Sequence, residues 1–213
     1  MPHVVLLGDS IFDSAAYVRG GPDVVRQLRD ILPADWSASL LAVDGAVTRG
    51  VAGQLSRVPE GATHLVVSVG GNDALGASGI LRTAVRSVAE AVSLLAQAQD
   101  RFARDYDEMV DAVLARGLPT ALCTIYDTPP SAPDHRIIKA ALSLFNDRIS
   151  RAAFSRGLAL IDLRLICSEE ADYANPIEPS VQGGAKIAAA ISSLVASPER
   201  VRLSQVIART EPS

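Results

Sequence analysis

Val4-Val5-Leu6-Leu7, followed at once by Gly8-Asp9-Ser10, is the stretch that decides the fold. Four consecutive apolar residues without polar alternation predict a strand buried on both faces, as in the middle of a parallel sheet. Gly8 lets the chain turn sharply where that strand ends. Ser10 then falls just past the carboxyl end, the edge at which open α/β sheets hold their ligands. A hydroxyl there is a candidate nucleophile. The plainer alternative is a strand-to-helix turn capped by Asp9 or Ser10.

Four more short apolar runs follow, over 39–43, 65–69, 120–125 and 158–162. Between them the spacing predicts a helical turn over 14–19 and helices over 23–31, 47–58, 82–116, 135–156 and 181–195. Pro22 suits the first position of the first helix, whose Val24, Val25, Leu28, Ile31 and Leu32 share one side. A break near 97–100 would divide the longest helix, and Gly117 and Gly157 close the two that precede strands four and five. The proline-rich stretch 126–134 and the polar stretch 167–180 read as loops, and 199–209 as a last amphipathic segment. Strands alternating with helices make right-handed βαβ units. The expected architecture is therefore α/β: a three-layer α/β/α sandwich with a five-stranded parallel sheet, in one domain over 1–213.

Composition narrows the function. A chain of 213 residues that is 48% hydrophobic and only 4% aromatic suits helices packed on a sheet. Its net charge of −4 gives no basic patch for nucleic acid or an anionic membrane. No apolar run nears the ~20 residues that span a bilayer. The first strand begins near residue 3 and leaves no room for a secretory signal, so a cytoplasmic protein is expected. Cys123 and Cys167 read as reduced, buried small hydrophobes. There is no CxxC, HExxH or Walker-type loop, so no metal and no cofactor is expected. Asp9 and Asp73, without a third carboxylate, read as a turn brace and a helix cap.

Three glycine-and-polar clusters follow the first three strands: Gly8-Asp9-Ser10, Asp44-Gly45-Ala46 and Gly70-Gly71-Asn72-Asp73. Parallel strands share a direction, so all three fall on one edge of the sheet. Acyl transfer needs such a group: a hydroxyl that attacks, and donors aimed at the oxyanion that develops. The N–H groups of Ser10 and Gly45 and the Asn72 amide are three candidate donors. Taken singly, Gly45 and the Gly70–Asp73 stretch would read only as turns.

In this order and spacing the clusters resemble the SGNH (GDSL-type) hydrolases, over nearly the whole chain. The resemblance implies a flavodoxin-like fold, Ser10 as nucleophile, and Gly45 and Asn72 in the oxyanion hole. It also implies hydrolysis of a small-molecule ester, carrying a small acyl or acetyl group. The fourth block departs from the family's Asp-x-x-His-Pro. Asn175-Pro176-Ile177-Glu178-Pro179, anchored on the spacing to Gly183, puts Glu178 at the His position and Asn175 at the Asp position. A second registration keeps Asp172 as the Asp and puts Asn175 at the His position. Neither supplies a histidine.

A serine hydroxyl needs a base whose pKa lies near the working pH. Burial beside groups such as Ile177 would raise Glu178 towards that range. Glu178 is accordingly the provisional base, against the alternative of a surface loop carboxylate. His3 and His64 sit at the amino ends of their strands, ~20 Å or more from Ser10 at ~3.3 Å per residue. His135, after the strand-four loop, is the one histidine on the correct edge, and an exposed helix-start residue is its plainer reading. The rival functions are an SGNH-fold binding protein that keeps the oxyanion pocket, and an acyltransferase. Nothing in the sequence demands an oligomer.

Overall fold

The computed structural model describes residues 1–197 and 206; the amphipathic segment expected over 199–209 lies outside them apart from Val206. Five parallel strands form one sheet: β1 (His3–Gly8), β2 (Ser37–Leu40), β3 (His64–Ser68), β4 (Thr120–Cys123) and β5 (Ala159–Ile161), in the order β2-β1-β3-β4-β5. The first strand lies inside the sheet, between β2 and β3, and its Val4 to Leu7 are fully buried, alternating between two cores. Val5 and Leu7 pack with α2 (Val51–Leu55), α4 (Val88–Leu114) and α5 (His135–Ser155). Val4 and Leu6 pack with α1 (Val24–Ile31) and α7 (Val181–Ala196). The three-layer α/β/α sandwich expected from the alternation is the fold observed.

Element ends differ where a local hydrogen bond overrides the pattern. Residues 14–19 form turns, not a helix. Asp23 caps α1 by accepting from the Arg26 N–H at 2.9 Å, so Pro22 precedes the cap rather than opening the helix. Ile31 is half exposed and leaves the packed side. Strand two stops at Leu40 because the N–H groups of Leu41 and Ala42 both turn to the Leu6 carbonyl, which breaks the ladder. The helix expected over 47–58 is a 3₁₀ turn (Thr48–Gly50) followed by α2, and Pro59 disfavours continuation. The longest helix starts at Val88, where the Ser87 hydroxyl accepts from the Glu90 N–H, and runs unbroken through 97–100.

The stretch 167–180 is structured. It contains a 3₁₀ turn (Glu170–Asp172) and an antiparallel hairpin of β6 (Tyr173–Asn175) and β7 (Glu178–Pro179). A short helix, α3 (Gly71–Ala77), leaves β3, and another, α6 (Leu163–Ile166), leaves β5. Cys123 and Cys167 are buried and unpaired with each other. No helix among the described residues is long and apolar enough to cross a membrane.

Candidate active site

The chain leaves β1 through Gly8 at a φ of +126°, and the Asp9 N–H donates to the Ser68 carbonyl of β3 at 3.0 Å. Gln54, buried on α2, grips this turn with its amide: it accepts from the Gly8 N–H at 2.7 Å and donates to the Gly8 carbonyl at 2.8 Å. Ser10 follows, 7% exposed, and among the described residues its N–H has no partner. A free, preorganised donor beside a candidate nucleophile is the kind of group that can hold an oxyanion.

The second cluster is tied to the first and third from both sides. The Asp44 N–H donates to the Asp13 carboxylate at 2.9 Å, and the Tyr17 hydroxyl donates to the Asp44 carboxylate at 2.8 Å. On the other side the Asn72 amide donates to the Ala46 carbonyl at 3.0 Å, which leaves its second N–H for a ligand. Gly45 lies between these anchors at a φ of +77° with open space around it. Its backbone conformation, not crowding, calls for glycine. Asp73 does not cap a helix as expected; it accepts from both the N–H and hydroxyl of Thr48 and so fastens α3 to the strand-two loop.

Glu178 comes from the hairpin. It is 3% exposed, it faces the Ser10 hydroxyl, and its Oε2 is buried without a partner. Burial raises its pKa to about 7, with the nearby Ser10 hydroxyl pulling it back down by favouring the charged form and the Asp44 charge adding to the rise. Ile177, immediately before it, is held from the strand-four loop by the Tyr126 hydroxyl, which donates to its carbonyl at 2.9 Å. Asn175 does not orient Glu178; its side chain accepts from the Ile177 N–H within the hairpin turn. Asp172 is fully occupied with Lys186, Gln182 and the N–H groups of Ser168 and Glu169, so it is a structural carboxylate. His135 sits at the start of α5, half-buried, with Nδ1 against the Thr128 carbonyl at 2.9 Å. His3 and His64 bond to Ser39 and Thr63 at the amino ends of their strands.

Asp9 forms a second buried carboxylate at the site, 2% exposed, accepting from the Ile11 N–H at 3.2 Å. Its pKa also rises to about 7, first through burial and then through the charges of Glu178 and Asp73. An ordinary aspartate ionises near 4, so folded Asp9 keeps a proton between about pH 4 and 7 that the unfolded chain gives up. Folding therefore loses stability as pH rises through that window. Asp9→Asn keeps the acceptor and is expected to be about 2–4 kcal/mol more stable than the parent in urea at pH 8, with the gain vanishing near pH 4. Equal stabilities at pH 8 would refute the burial argument.

Sequence reasoning missed Gln54, Asp13 and Tyr126, which touch the site only through long-range contacts. It also missed an apolar cavity of about 220 Å³ that starts at Ser10, Asn72 and Glu178 and runs between α3, α4 and α5. Among the described residues no group of three or more His, Cys, Asp or Glu is gathered to hold a metal.

The arrangement resembles known proteins. By sequence, no curated protein matches. By structure, an extracellular lipase from Streptomyces rimosus is similar at a TM-score of 0.68 and 18% identity, with 91% of this chain and 99% of that one covered. The acetyl xylan esterase AlAXEase gives the same values. LAE5, an alpha/beta hydrolase enzyme from the metagenome of Lake Arreo, Spain, has a TM-score of 0.65 and 22% identity over 89% of this chain and 92% of its own. These likenesses establish a shared fold. The sequence pattern of the GDSL-like lipase/acylhydrolase family matches residues 6–185, most of the chain. On that match the chain belongs to the GDSL-like lipase/acylhydrolase family, enzymes that act on ester bonds.

Proposed function

We propose that this protein hydrolyses a carboxylic ester through Ser10, with Glu178 in place of the usual histidine. The observation that carries the reading is the buried Glu178 carboxylate facing the Ser10 hydroxyl, with one oxygen unpartnered. A buried polar atom without a partner is costly, and a catalytic role is one reason for a fold to retain it.

Ser10 Oγ attacks the ester carbonyl and its proton passes to Glu178. The carbonyl oxygen becomes an oxyanion, held by the N–H groups of Ser10 and Gly45 and the second N–H of the Asn72 amide. When the tetrahedral intermediate collapses, Glu178 returns the proton to the departing alcohol. Water then attacks the acyl-enzyme with Glu178 again as base, and Ser10 is regenerated. A base near 7 matches this role better than an ordinary glutamate near 4.3, because it is basic enough to take the proton yet ionised at neutral pH.

Hydrolysis of p-nitrophenyl esters tests the reading. Ser10→Ala is expected to abolish turnover while keeping the fold, and a serine-directed phosphonate is expected to label the parent at Ser10 only. Turnover that survives in Ser10→Ala overturns the mechanism. Ligand binding without any Ser10-dependent turnover would make the protein a binder that retains the pocket.

A further inference from the structure

We infer that the apolar cavity beside Ser10 is an acyl-chain site, built for a chain of about six to nine carbons rather than acetyl. This rests on the ester-hydrolysis reading for its orientation, and on the shape and chemistry of the cavity for its content. Ser10, Asn72 and Glu178 line the cavity at the candidate catalytic group, with Ser78, Asp127 and Thr128 as further polar lining in a wall that is otherwise overwhelmingly apolar. The apolar wall is aliphatic or aromatic: Ile80 after α3, Leu95 and Ala98 on α4, and Ala141, Leu142 and Phe145 on α5. Ala98 and Phe145 are buried, so the cavity reaches from an open mouth down into the layer between the helices.

The occupant follows from what a bound ester must do. Its carbonyl carbon has to meet Ser10 Oγ with the oxygen towards the Asn72 amide. One of the two substituents on that carbon then points into the cavity. An apolar cavity of about 150 Å³ holds the six carbons of benzene, so about 220 Å³ holds roughly nine. Acetyl would leave most of this space empty and its lining without contacts. A charged or polyhydroxy group would have no partners along Leu95, Ala98 and Leu142. An unbranched or lightly branched hydrocarbon chain matches both the volume and the lining. The family resemblance implies a small acyl or acetyl group, and the sequence does not reveal the cavity, because periodicity marks which residues face inward and not where the packing leaves a gap.

The same residues explain how the chain gets in. Leu75 on α3 and Ile177 next to Glu178 line the cavity yet are about half exposed. They form an apolar lip continuous with the cavity wall. Solvent-facing leucine and isoleucine at the entrance give a hydrocarbon tail apolar contact on its way from water to the interior.

The test measures kcat/KM for p-nitrophenyl esters from acetyl to dodecanoyl, below their solubility limits. Each buried methylene is expected to raise kcat/KM by about two- to four-fold. The octanoyl ester is then expected to exceed the acetyl ester by about 10²–10³-fold, with a fall at dodecanoyl where the cavity ends. Ala98→Leu and Ala141→Leu, made separately in case one fails to fold, are each expected to move the optimum to shorter chains. A profile that peaks at acetyl, or an optimum that both folded variants leave in place, overturns the assignment. Ser10→Ala separates this proposal from the mechanism. Methyl octanoate is expected to raise its melting temperature and methyl acetate is not, whether or not the parent turns over. If the parent hydrolyses nothing while methyl octanoate still binds, the catalytic reading fails and the acyl site stands. If neither ester shifts the melting temperature of Ser10→Ala, the acyl site fails.

Discussion

Glu178→Gln is expected to lower kcat for ester hydrolysis by about 10²–10⁴-fold, the span that loss of a general base produces. The expectation comes from geometry first. Glutamine keeps the size and one acceptor oxygen of glutamate, so the hairpin of β6 and β7 and its tie to Tyr126 stay in place. What is lost is the ability to hold the Ser10 proton. The parent's kcat is expected to rise with pH through about 7, where Glu178 ionises, and to level off above it. Asp9 titrates in the same range and repels Glu178, so the apparent midpoint belongs to the pair. Removing one charge lets the other ionise more easily, and Asp9→Asn is expected to move the midpoint down. His135→Ala is the control, since its Nδ1 is taken up by the Thr128 carbonyl. A Glu178→Gln enzyme with parental kcat and parental pH profile would falsify the base assignment. A collapse with His135→Ala instead would transfer the role to the strand-four loop.

A carboxylate base has a price that the histidine of related sequences does not. Imidazole is neutral when it is ready to accept a proton, whereas Glu178 must be charged inside a buried site. Burial both tunes the base and opposes its working form. The raised value near 7 is the balance of these effects, and the Glu178 charge in turn raises Asp9, which lines the same cavity. Activity and stability should consequently part company with pH: the ionised site that turns over ester above about pH 7 is the less stable one.

Much of this was legible in the chain, and the reason is locality. Val4 to Leu7 announce a central strand because burial on both faces leaves a continuous apolar run. The clusters at Ser10, Gly45 and Asn72 announce a common edge because parallel strands place their ends together. Glu178 could be located only through its spacing to Gly183, and the structure gives that anchor a cause: a Cβ at Gly183 would lie 2.1 Å from the Asp172 carbonyl oxygen. The helix therefore cannot slide against the hairpin. Gln54 was not legible, since nothing nearby in sequence distinguishes a glutamine that grips Gly8 from one that faces water. Asp73 was misread for a related reason. An acidic residue in a helix's first turn suits the dipole, and only the return of the strand-two loop reveals Thr48 as its partner. The cavity was illegible because a gap is a property of three helices at once.

Gly8→Ala is expected to leave no stably folded protein, or to cost more than about 4 kcal/mol, the range reserved for a specific structural fault. Two independent faults coincide. The φ of +126° lies in a region that side chains rarely adopt, and a Cβ there would sit 1.7 Å from the Ser68 carbonyl oxygen. Neither fault can relax cheaply. Gln54 holds both the N–H and the carbonyl of Gly8, and β1 pairs with β3 from Val4 to Gly8. Room for the methyl group would require those strands to part where Leu7 and Val67 are fully buried. Gly45→Ala is the calibrating variant: its φ is also positive, but nothing lies within 4 Å of the added carbon. It is expected to fold and to lose only about 1–2 kcal/mol, the cost of the left-handed conformation alone. Urea unfolding followed by circular dichroism compares the two. Equal losses would mean that backbone conformation is the whole effect and that the close approach to Ser68 is not felt. A much larger loss at Gly8 ties the nucleophile to the core, because the contact that forbids a side chain at residue 8 also sets where the chain turns. Ser10 is then held in place by the close approach of β1 to β3 at Gly8 and not by its own loop.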